Sequence, residues 1–287
     1  MYGSAVGVVD VDLDVHPGES FGLLGPNGSG KTTFIRLALG LIRPTAGRVA
    51  VMGHDVAADR MAALGEVGYL PGELSLFPPL TGERTLHALA RLHPRPPSAR
   101  ERLCEVLQID RGTLRRRVRE YSRGMKQKLG LVAALQHDPP LAVLDEPTSG
   151  LDPVIQGRLL DWLAERAAAG RTVVFSSHVL AEVEELCDRV AMVREGRLLF
   201  VGPVGELRRA RTRAVEVQFA EPVDPSRYAV PGLADVRVES TRHRFSLAGD
   251  PRSLLAALAQ LPVVDVSIER ASLEDAFRDL YEPPGPS

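Results

Sequence analysis

Short apolar runs alternate with longer helix-like segments over most of the chain. Five of these runs have the length and composition of strands: Ser20–Leu24, Val67–Leu70, Leu141–Leu144, Thr172–Ser176 and Val190–Arg194. Strands that alternate with helical patterns predict a mostly parallel sheet covered by helices. In open sheets of this kind, ligands bind beyond the carboxyl ends of the strands. The polar residues that follow these runs are therefore candidates for a binding site.

The strand pattern stops between Thr81 and Asp138, where helices are expected with Thr81 and Ser98 as N-caps. Beyond Gly205 the pattern of apolar and polar residues changes again. There the sequence predicts strands at about 214–219, 235–239, 244–247 and 263–269, with helices at 251–261 and 272–281. The predicted fold is an α/β domain over residues 1–205 with a helical insert at about 81–138, followed by a small α+β domain over residues 211–287.

Composition narrows the class of protein. The chain has 287 residues, 44% of them hydrophobic and 25% charged, which is an ordinary globular composition with room for one large or two modest domains. A net charge of −2 gives no electrostatic footprint for a nucleic-acid partner, so none is expected. No apolar stretch is long enough to span a membrane, and two cysteines indicate no disulfide framework. These features favour a soluble, cytoplasmic protein.

A phosphate-binding loop follows the first predicted strand. Its residues are Gly25, Pro26, Asn27, Gly28, Ser29, Gly30, Lys31, Thr32 and Thr33. They match the pattern G-x-x-x-x-G-K-[ST] between a strand and a helix. In this pattern backbone N–H groups surround phosphate oxygens, Lys31 reaches the β- and γ-phosphates, and Thr32 ligates Mg²⁺. The sequence therefore predicts a nucleoside triphosphate bound with Mg²⁺.

The asparagine content of the chain narrows the choice of nucleotide. GTPases usually recognise guanine with an Asn-Lys-x-Asp element, and the only asparagine of this chain, Asn27, already lies in the loop. GTP is therefore disfavoured. A small-molecule kinase stays open on the loop alone.

Two carboxylates end the apolar run Leu141–Leu144. Asp145 is placed to hold Mg²⁺, and Glu146 is placed to orient and polarise an attacking water. Taken alone, this motif is more typical of a strand that ends in a solvated acidic turn. His178 follows the next strand, where it could reach a γ-phosphate or be an ordinary surface histidine. Ser122 precedes a predicted helix either as a simple N-cap or as part of a second anion site.

The order of these motifs resembles that of the ATP-binding cassette (ABC) ATPases, the nucleotide-binding subunits of ABC transporters. The matching segments are GPNGSGKTT, the signature-like YSRGM, LAVLDE, SGLD and the histidine at position 178. The resemblance covers nearly all of residues 1–205. It implies a P-loop NTPase cassette that binds ATP and Mg²⁺.

The resemblance also implies roles and partners. Two cassettes would face head to tail as a homodimer, with Ser122 and Gly124 contacting the γ-phosphate of the ATP held by the other subunit. Tyr2, which lies 23 residues before Gly25, would stack on adenine. The residues implied in catalysis are Lys31, Glu146 and His178, and those implied in metal binding are Thr32 and Asp145.

One departure from the family concerns the segment after Pro71. The family usually has a glutamine there that senses Mg²⁺ and the γ-phosphate, whereas this chain has Gly72 followed by Glu73. Glycine has no side chain to make that contact. Neither residue is assigned a catalytic role.

The Ser-Arg-Gly-Met signature and the tail ending in Ser272–Phe277 resemble the bacterial daunorubicin-type drug exporters. This resemblance implies an ATP-hydrolysing subunit that powers a separately encoded integral membrane permease. The protein would lie on the inner face of the cell membrane through that permease and drive export of a drug, natural product or lipid-like compound. An importer, a polysaccharide exporter, and a non-transport cassette acting on nucleic acid or the ribosome stay open as alternatives.

Overall fold

The computed structural model describes residues 7–209 and 212–270, and the chain divides between Val204 and Gly205 into two compact units. The strands of the first unit are β1 (Ser20–Leu24), β2 (Ala50–Val51), β3 (His54–Asp55), β4 (Val67–Leu70), β5 (Leu141–Asp145), β6 (Thr172–Ser177), β7 (Arg189–Arg194) and β8 (Arg197–Pro203). Its helices are α1 (Lys31–Ala38), α2 (Arg60–Leu64), α3 (Gly82–Ala90), α4 (Arg100–Val106), α5 (Arg111–Arg115), α6 (Arg123–Leu135), α7 (Pro153–Ala168) and α8 (Leu180–Leu186). The boundary between the units falls in α9 (Val204–Arg209).

Six strands of the first unit form one sheet in the order β4-β5-β6-β1-β7-β8. The first five strands in this order run parallel, and β8 pairs antiparallel with β7. The predicted parallel α/β sheet is therefore confirmed, and its five strands lie within a residue or so of the expected bounds. The sequence pattern did not predict β8 or the small β2-β3 hairpin.

Helices cover both faces of this sheet, as β1 illustrates. Phe21 and Leu23 are fully buried on one face, in a cluster that includes Ile35 of α1. Gly22 points to the other face, where a Cβ atom would lie 2.7 Å from Val183 of α8. A central strand that is buried on both faces needs a continuous apolar run, and this explains the sequence of β1.

The segment between β4 and β5 carries four helices, α3 to α6. Thr81 caps α3 as predicted, because its hydroxyl accepts a hydrogen bond from the N–H of Arg84 at 3.2 Å. The prediction that Ser98 caps the next helix is wrong. The N-cap of α4 is Ala99, which has no side-chain cap, and the N–H of Ala99 donates to the carbonyl of Gln136 at 2.9 Å. A tertiary contact with the end of α6 therefore sets the start of α4.

The second unit contains β9 (Thr212–Phe219), β10 (Leu233–Glu239), β11 (Arg242–Ala248), α10 (Arg252–Leu258) and β12 (Val263–Arg270). Its four strands form an antiparallel sheet in the order β10-β11-β9-β12. The core contains a buried polar pair in which the hydroxyl of Tyr228 is hydrogen-bonded to Nδ1 of His243 at 2.6 Å. Burial raises the pKa of Tyr228 to about 12, which keeps this phenol neutral. The helix predicted at 272–281 lies outside the described residues.

Within residues 7–209 and 212–270, no helix combines the length and the apolar composition that crossing a bilayer would require.

Candidate nucleotide-binding site

The loop of residues 25–30 joins the carboxyl end of β1 to the start of α1. A Cβ atom on Gly25 would lie 2.3 Å from the carbonyl oxygen of Val193, so only glycine fits at this position. Gly28 and Gly30 have φ values of 80° and 111°, in the left-handed region that glycine adopts without strain. The predicted loop therefore turns tightly from the buried strand into the helix.

The start of α1 is suited to an anion. Its N-cap is Gly30, which has no side-chain oxygen to accept from the N–H groups of the first turn. The nearby hydroxyl oxygen of Ser29 is buried and has no hydrogen-bond partner among the residues that the structure describes. Free N–H groups and the positive end of the helix dipole together favour negative charge at this point. The residues therefore fit the phosphates of a nucleotide.

Lys31 connects this loop to the end of β5. Its side chain is buried, and its Nζ atom donates to the carbonyl oxygens of Gly25 at 2.6 Å and Pro26 at 3.2 Å. The same ammonium forms an ion pair with Oε1 of Glu146 at 3.2 Å. A buried cation needs such partners, because water no longer solvates it. The predicted lysine and the predicted catalytic acid are therefore neighbours.

Asp145 is fully buried at the last position of β5, and two hydroxyl groups satisfy its carboxylate. Thr32 donates from Oγ1 to Oδ2 at 2.7 Å, and Ser176 donates from Oγ to Oδ1 at 2.6 Å. Carboxylate and hydroxyl oxygens are the hard ligands that Mg²⁺ prefers, usually one or two of them combined with substrate phosphates. Thr32 and Asp145 therefore fit a magnesium ion bound with the nucleotide.

Glu146 is fixed at both carboxylate oxygens and at its backbone. Oε2 lies 2.7 Å from Nδ1 of His178, and Oε1 faces Lys31. The φ angle of Glu146 is 51°, a conformation that few non-glycine residues adopt. Its N–H donates to Oγ of Ser176 at 3.0 Å. His178 is about half exposed, with 48% of its side-chain surface accessible, so this end of the site opens to solvent.

Ser122 and Gly124 lie at the start of α6. The hydroxyl of Ser122 accepts from the N–H of Met125 at 3.3 Å, which is the expected N-cap contact. A Cβ atom on Gly124 would lie 2.5 Å from the carbonyl oxygen of Gly150, so α6 begins directly against the loop that follows Glu146. Among the described residues, Gly124 contacts that loop, and neither Ser122 nor Gly124 joins the hydrogen-bonded network around Lys31 and Asp145.

Gly72 borders the predicted metal-binding carboxylate. A Cβ atom on Gly72 would lie 3.0 Å from Oδ2 of Asp145. Asp145 also affects Tyr69, which lies near the end of β4. Burial and the charge of that carboxylate raise the pKa of the Tyr69 phenol, and a hydrogen bond from Arg36 opposes this rise. The position where the family usually has glutamine therefore adjoins Asp145, without a side chain to contact it.

The structure joins five of the predicted site residues in one network: Lys31, Thr32, Asp145, Glu146 and His178. Tyr2 lies outside the described residues. Two contributors were missed by sequence reasoning: Ser176, whose hydroxyl bonds Asp145 and Glu146, and Gln127, whose Nε2 donates to the carbonyl oxygen of Glu146 at 3.2 Å. Ser176 lies on β6 two residues before His178, and Gln127 lies within the YSRGMKQK segment, so both were near predicted motifs. Their partners are distant in sequence, and no pattern pointed to them.

A family model for ABC transporters matches residues 8–149. The daunorubicin resistance ATP-binding protein of Streptomyces coeruleorubidus is 34% identical over 296 residues, which cover 97% of this chain and 92% of that protein. The chain belongs to the ABC transporter family. It carries the ATPase domain of that family, which confirms the resemblance drawn from the motifs.

A second relative of this ABC protein is an uncharacterised ABC transporter ATP-binding protein of Nostoc sp.. It is 40% identical over 212 residues, which cover 72% of this chain. The match spans 63% of the Nostoc protein, slightly less than two thirds of its length.

Solved structures agree with the fold. The ATP-binding subunit of an ABC transporter superposes with a TM-score of 0.66 at 32% identity, and the match covers 72% of this chain and 88% of that one. A dimeric ATP-binding cassette in a post-hydrolysis state with ADP and phosphate gives a TM-score of 0.61 at 21% identity, over 69% of this chain and 90% of that one. At that lower identity the second match shows the fold alone.

Proposed function

We propose that this ABC protein binds ATP with Mg²⁺ and hydrolyses it to ADP and phosphate, as the subunit that powers a separate membrane permease. One observation carries the proposal. The two oxygens of Glu146 are held by Lys31 and His178, beside the Thr32–Asp145 pair, at the carboxyl ends of adjacent parallel strands. This is where an open α/β sheet binds its ligand.

The proposed chemistry assigns one task to each group. The residues of the loop at 25–33 bind the phosphates, and Thr32 with Asp145 holds Mg²⁺, which when bound neutralises charge on the β- and γ-phosphates. Lys31 contacts those phosphates and in doing so leaves Glu146. The freed carboxylate then orients the attacking water and accepts its proton. His178 holds the other oxygen of Glu146 in place.

We further propose that two copies of this chain form a head-to-tail homodimer around two ATP molecules. The start of α6, with Ser122 and Gly124, would contact the phosphates held by the other subunit. Two features support this: Ser122 is exposed, and a helix start is an anion site. A related fold is known as a dimer. Tyr2 would stack on the adenine of its own subunit.

For the direction of transport we propose export of a drug, natural product or lipid-like compound. The support is the daunorubicin resistance relative, which matches the chain over nearly its whole length. The permease would be an integral membrane protein encoded separately. This subunit would then lie on the cytoplasmic face of the cell membrane, and the permease would select the substrate.

The variant Glu146→Gln tests the catalytic assignment. It keeps the size of the side chain and one acceptor oxygen, but it replaces the other oxygen with an NH2 group and removes the proton acceptor. We expect steady-state ATP turnover to fall by about 10²- to 10⁴-fold, the usual contribution of a general base. ATP affinity should stay near that of the wild type, and size-exclusion chromatography with ATP should show an accumulated dimer.

The matched control is Glu182→Gln on α8, a second acid that bonds a neighbouring side chain, Ser177, but lies outside the network described above. Its turnover should stay close to wild type. Substantial ATP turnover by Glu146→Gln would remove Glu146 from the catalytic role.

A further inference from the structure

Two glutamine side chains, Gln127 of α6 and Gln156 of α7, hold the loop of residues 146–151 that follows β5. Their Nε2 atoms donate hydrogen bonds to four carbonyl oxygens of this loop, at distances from 3.0 to 3.2 Å. The four acceptors belong to Glu146, Pro147, Thr148 and Leu151. The loop is thus held by helices on both sides.

Gln127 acts on the most constrained residue of the loop. Its side chain is buried, with 7% exposure, and its amide contacts the carbonyl oxygen of Glu146 at 3.2 Å and that of Pro147 at 3.0 Å. Glu146 has a φ of 51°, and a non-glycine residue keeps such a conformation only where its surroundings impose it. Ser176 binds the N–H of Glu146, and Gln127 binds its carbonyl. Both peptide groups of Glu146 are therefore fixed.

Helix α6 contacts the loop of residues 146–151 at two further points. Gly124 packs against the carbonyl oxygen of Gly150, and the guanidinium of Arg123 donates to Oγ of Ser149 at 3.2 Å. Gln127 lies three residues beyond Gly124, about one turn along α6. Since these contacts come from a single rigid element, displacement of the start of α6 must also displace the carbonyl of Glu146.

We infer that Gln127 is a positioning residue for Glu146. It fixes the backbone of Glu146, from which the carboxylate reaches the water. The orientation of that carboxylate therefore depends on the position of α6. The inference rests on the proposed ATPase function, and it assigns to Gln127 no contact with nucleotide, metal or water. Loss of its amide should therefore affect the chemical step and leave ATP binding intact.

The test compares Gln127→Met with Gln136→Met. Methionine keeps the length of an unbranched side chain and removes the N–H donor. Gln136 ends the same helix, is 1% exposed, and donates its Nε2 to a backbone carbonyl, that of Leu86, at 3.2 Å. Both variants lose a buried hydrogen bond, so both should lower the melting temperature. Only the first loses a contact with Glu146.

For Gln127→Met we expect kcat to fall by about 10- to 100-fold, as small misplacements of a catalytic group do, with KM for ATP within about twofold of wild type. Gln136→Met should keep both parameters near wild type. Gln127→Glu provides a second variant of nearly identical shape: its carboxylate faces two carbonyl oxygens with no N–H to donate, so kcat should fall at least as far.

A kcat within about threefold of wild type in a folded Gln127→Met or Gln127→Glu protein would overturn the inference. So would an equal loss of kcat in Gln136→Met, because the effect would then be one of general stability. The proposed function is judged separately. If the wild type hydrolyses ATP and Glu146→Gln does not, normal turnover in the Gln127 variants refutes only the positioning role.

Discussion

Two helices of this protein, α1 and α6, begin at positions suited to anions. They differ in whether an N-cap side chain satisfies the N–H groups of the first turn. The first turn of α1 has a glycine N-cap and no side-chain acceptor, and its Lys31 is buried. The first turn of α6 is partly satisfied by its own Ser122, which is exposed. An uncapped start beside a buried cation favours an external anion more strongly than a capped start facing solvent.

The difference suggests a division of labour. The start of α1 carries its own cation and borders the Mg²⁺-type pair of Thr32 and Asp145, so it can bind phosphate within one chain. The start of α6 has no such carboxylate–hydroxyl pair among the described residues, and its own cation, Arg123, donates to Ser149 of the neighbouring loop. It contacts instead the loop that carries Glu146, and in the proposed dimer its anion would be the ATP held by the other subunit. Substitutions at the two starts should therefore affect different steps.

The largest effect is expected from Lys31→Ala, which removes the cation at the start of α1. Removing the ammonium eliminates a charge-assisted contact with phosphate and leaves Glu146 without its cation. We expect the affinity for ATP to fall by about 100-fold, equivalent to about 3 kcal/mol, in equilibrium binding measured by calorimetry. Lys128→Ala on α6 is the matched control and should bind ATP like the wild type. Unchanged affinity in Lys31→Ala would contradict the phosphate-binding assignment.

A smaller effect is expected from Ser122→Ala, which removes the N-cap hydroxyl at the start of α6. Loss of the N-cap should lower the free energy of unfolding by about 1 kcal/mol in chemical denaturation. ATP binding to the isolated chain should not change, whereas ATP-dependent dimerisation and turnover should decrease. Thr81→Ala removes a cap of the same kind from α3 and serves as the control for stability alone. If both variants hydrolyse ATP equally well, the start of α6 has no role beyond capping.

The last effect is on stability alone, and it concerns the residue just beyond the far end of α6. Burial lowers the pKa of His137 to about 4, helped by the stacked ring of His93 and by Arg95 and opposed by Asp138. The unfolded chain binds this proton near pH 6.5 and the folded chain does not, so stability is lost as the pH falls from about 6.5 to about 4. His137→Phe should flatten this pH dependence of the melting temperature, and substitution of the exposed His54 should not. An unchanged slope in His137→Phe would show that another group titrates.

The parallel sheet and the five-residue network could be predicted because local signals specify them. Leu141–Leu144 is a continuous apolar run that ends in two acids, and a strand buried on both faces requires such a run. Glycines at fixed spacing before Lys31 have one common use, a loop that binds phosphate. In these segments the residue types themselves carry the chemistry.

The remaining features depend on tertiary contacts that no local pattern encodes. Ser98 looked like a cap, but a bond from Ala99 to the end of α6 sets the start of that helix. Gln127 was not singled out because its partner, the carbonyl of Glu146, becomes a neighbour only in the folded chain.

The sheet order has a consequence for the newly synthesised chain. β1 carries the phosphate-binding loop, yet its two neighbours in the sheet are β6 and β7, which begin at Thr172 and Arg189. As the ribosome releases the chain, β1 stays unpaired on both edges until more than half of the sequence has followed, although four of its five residues are apolar or glycine. Such a strand is exposed to aggregation and to chaperones during synthesis. ATP can bind only after this delay, so nucleotide capture would report that the cassette core has closed.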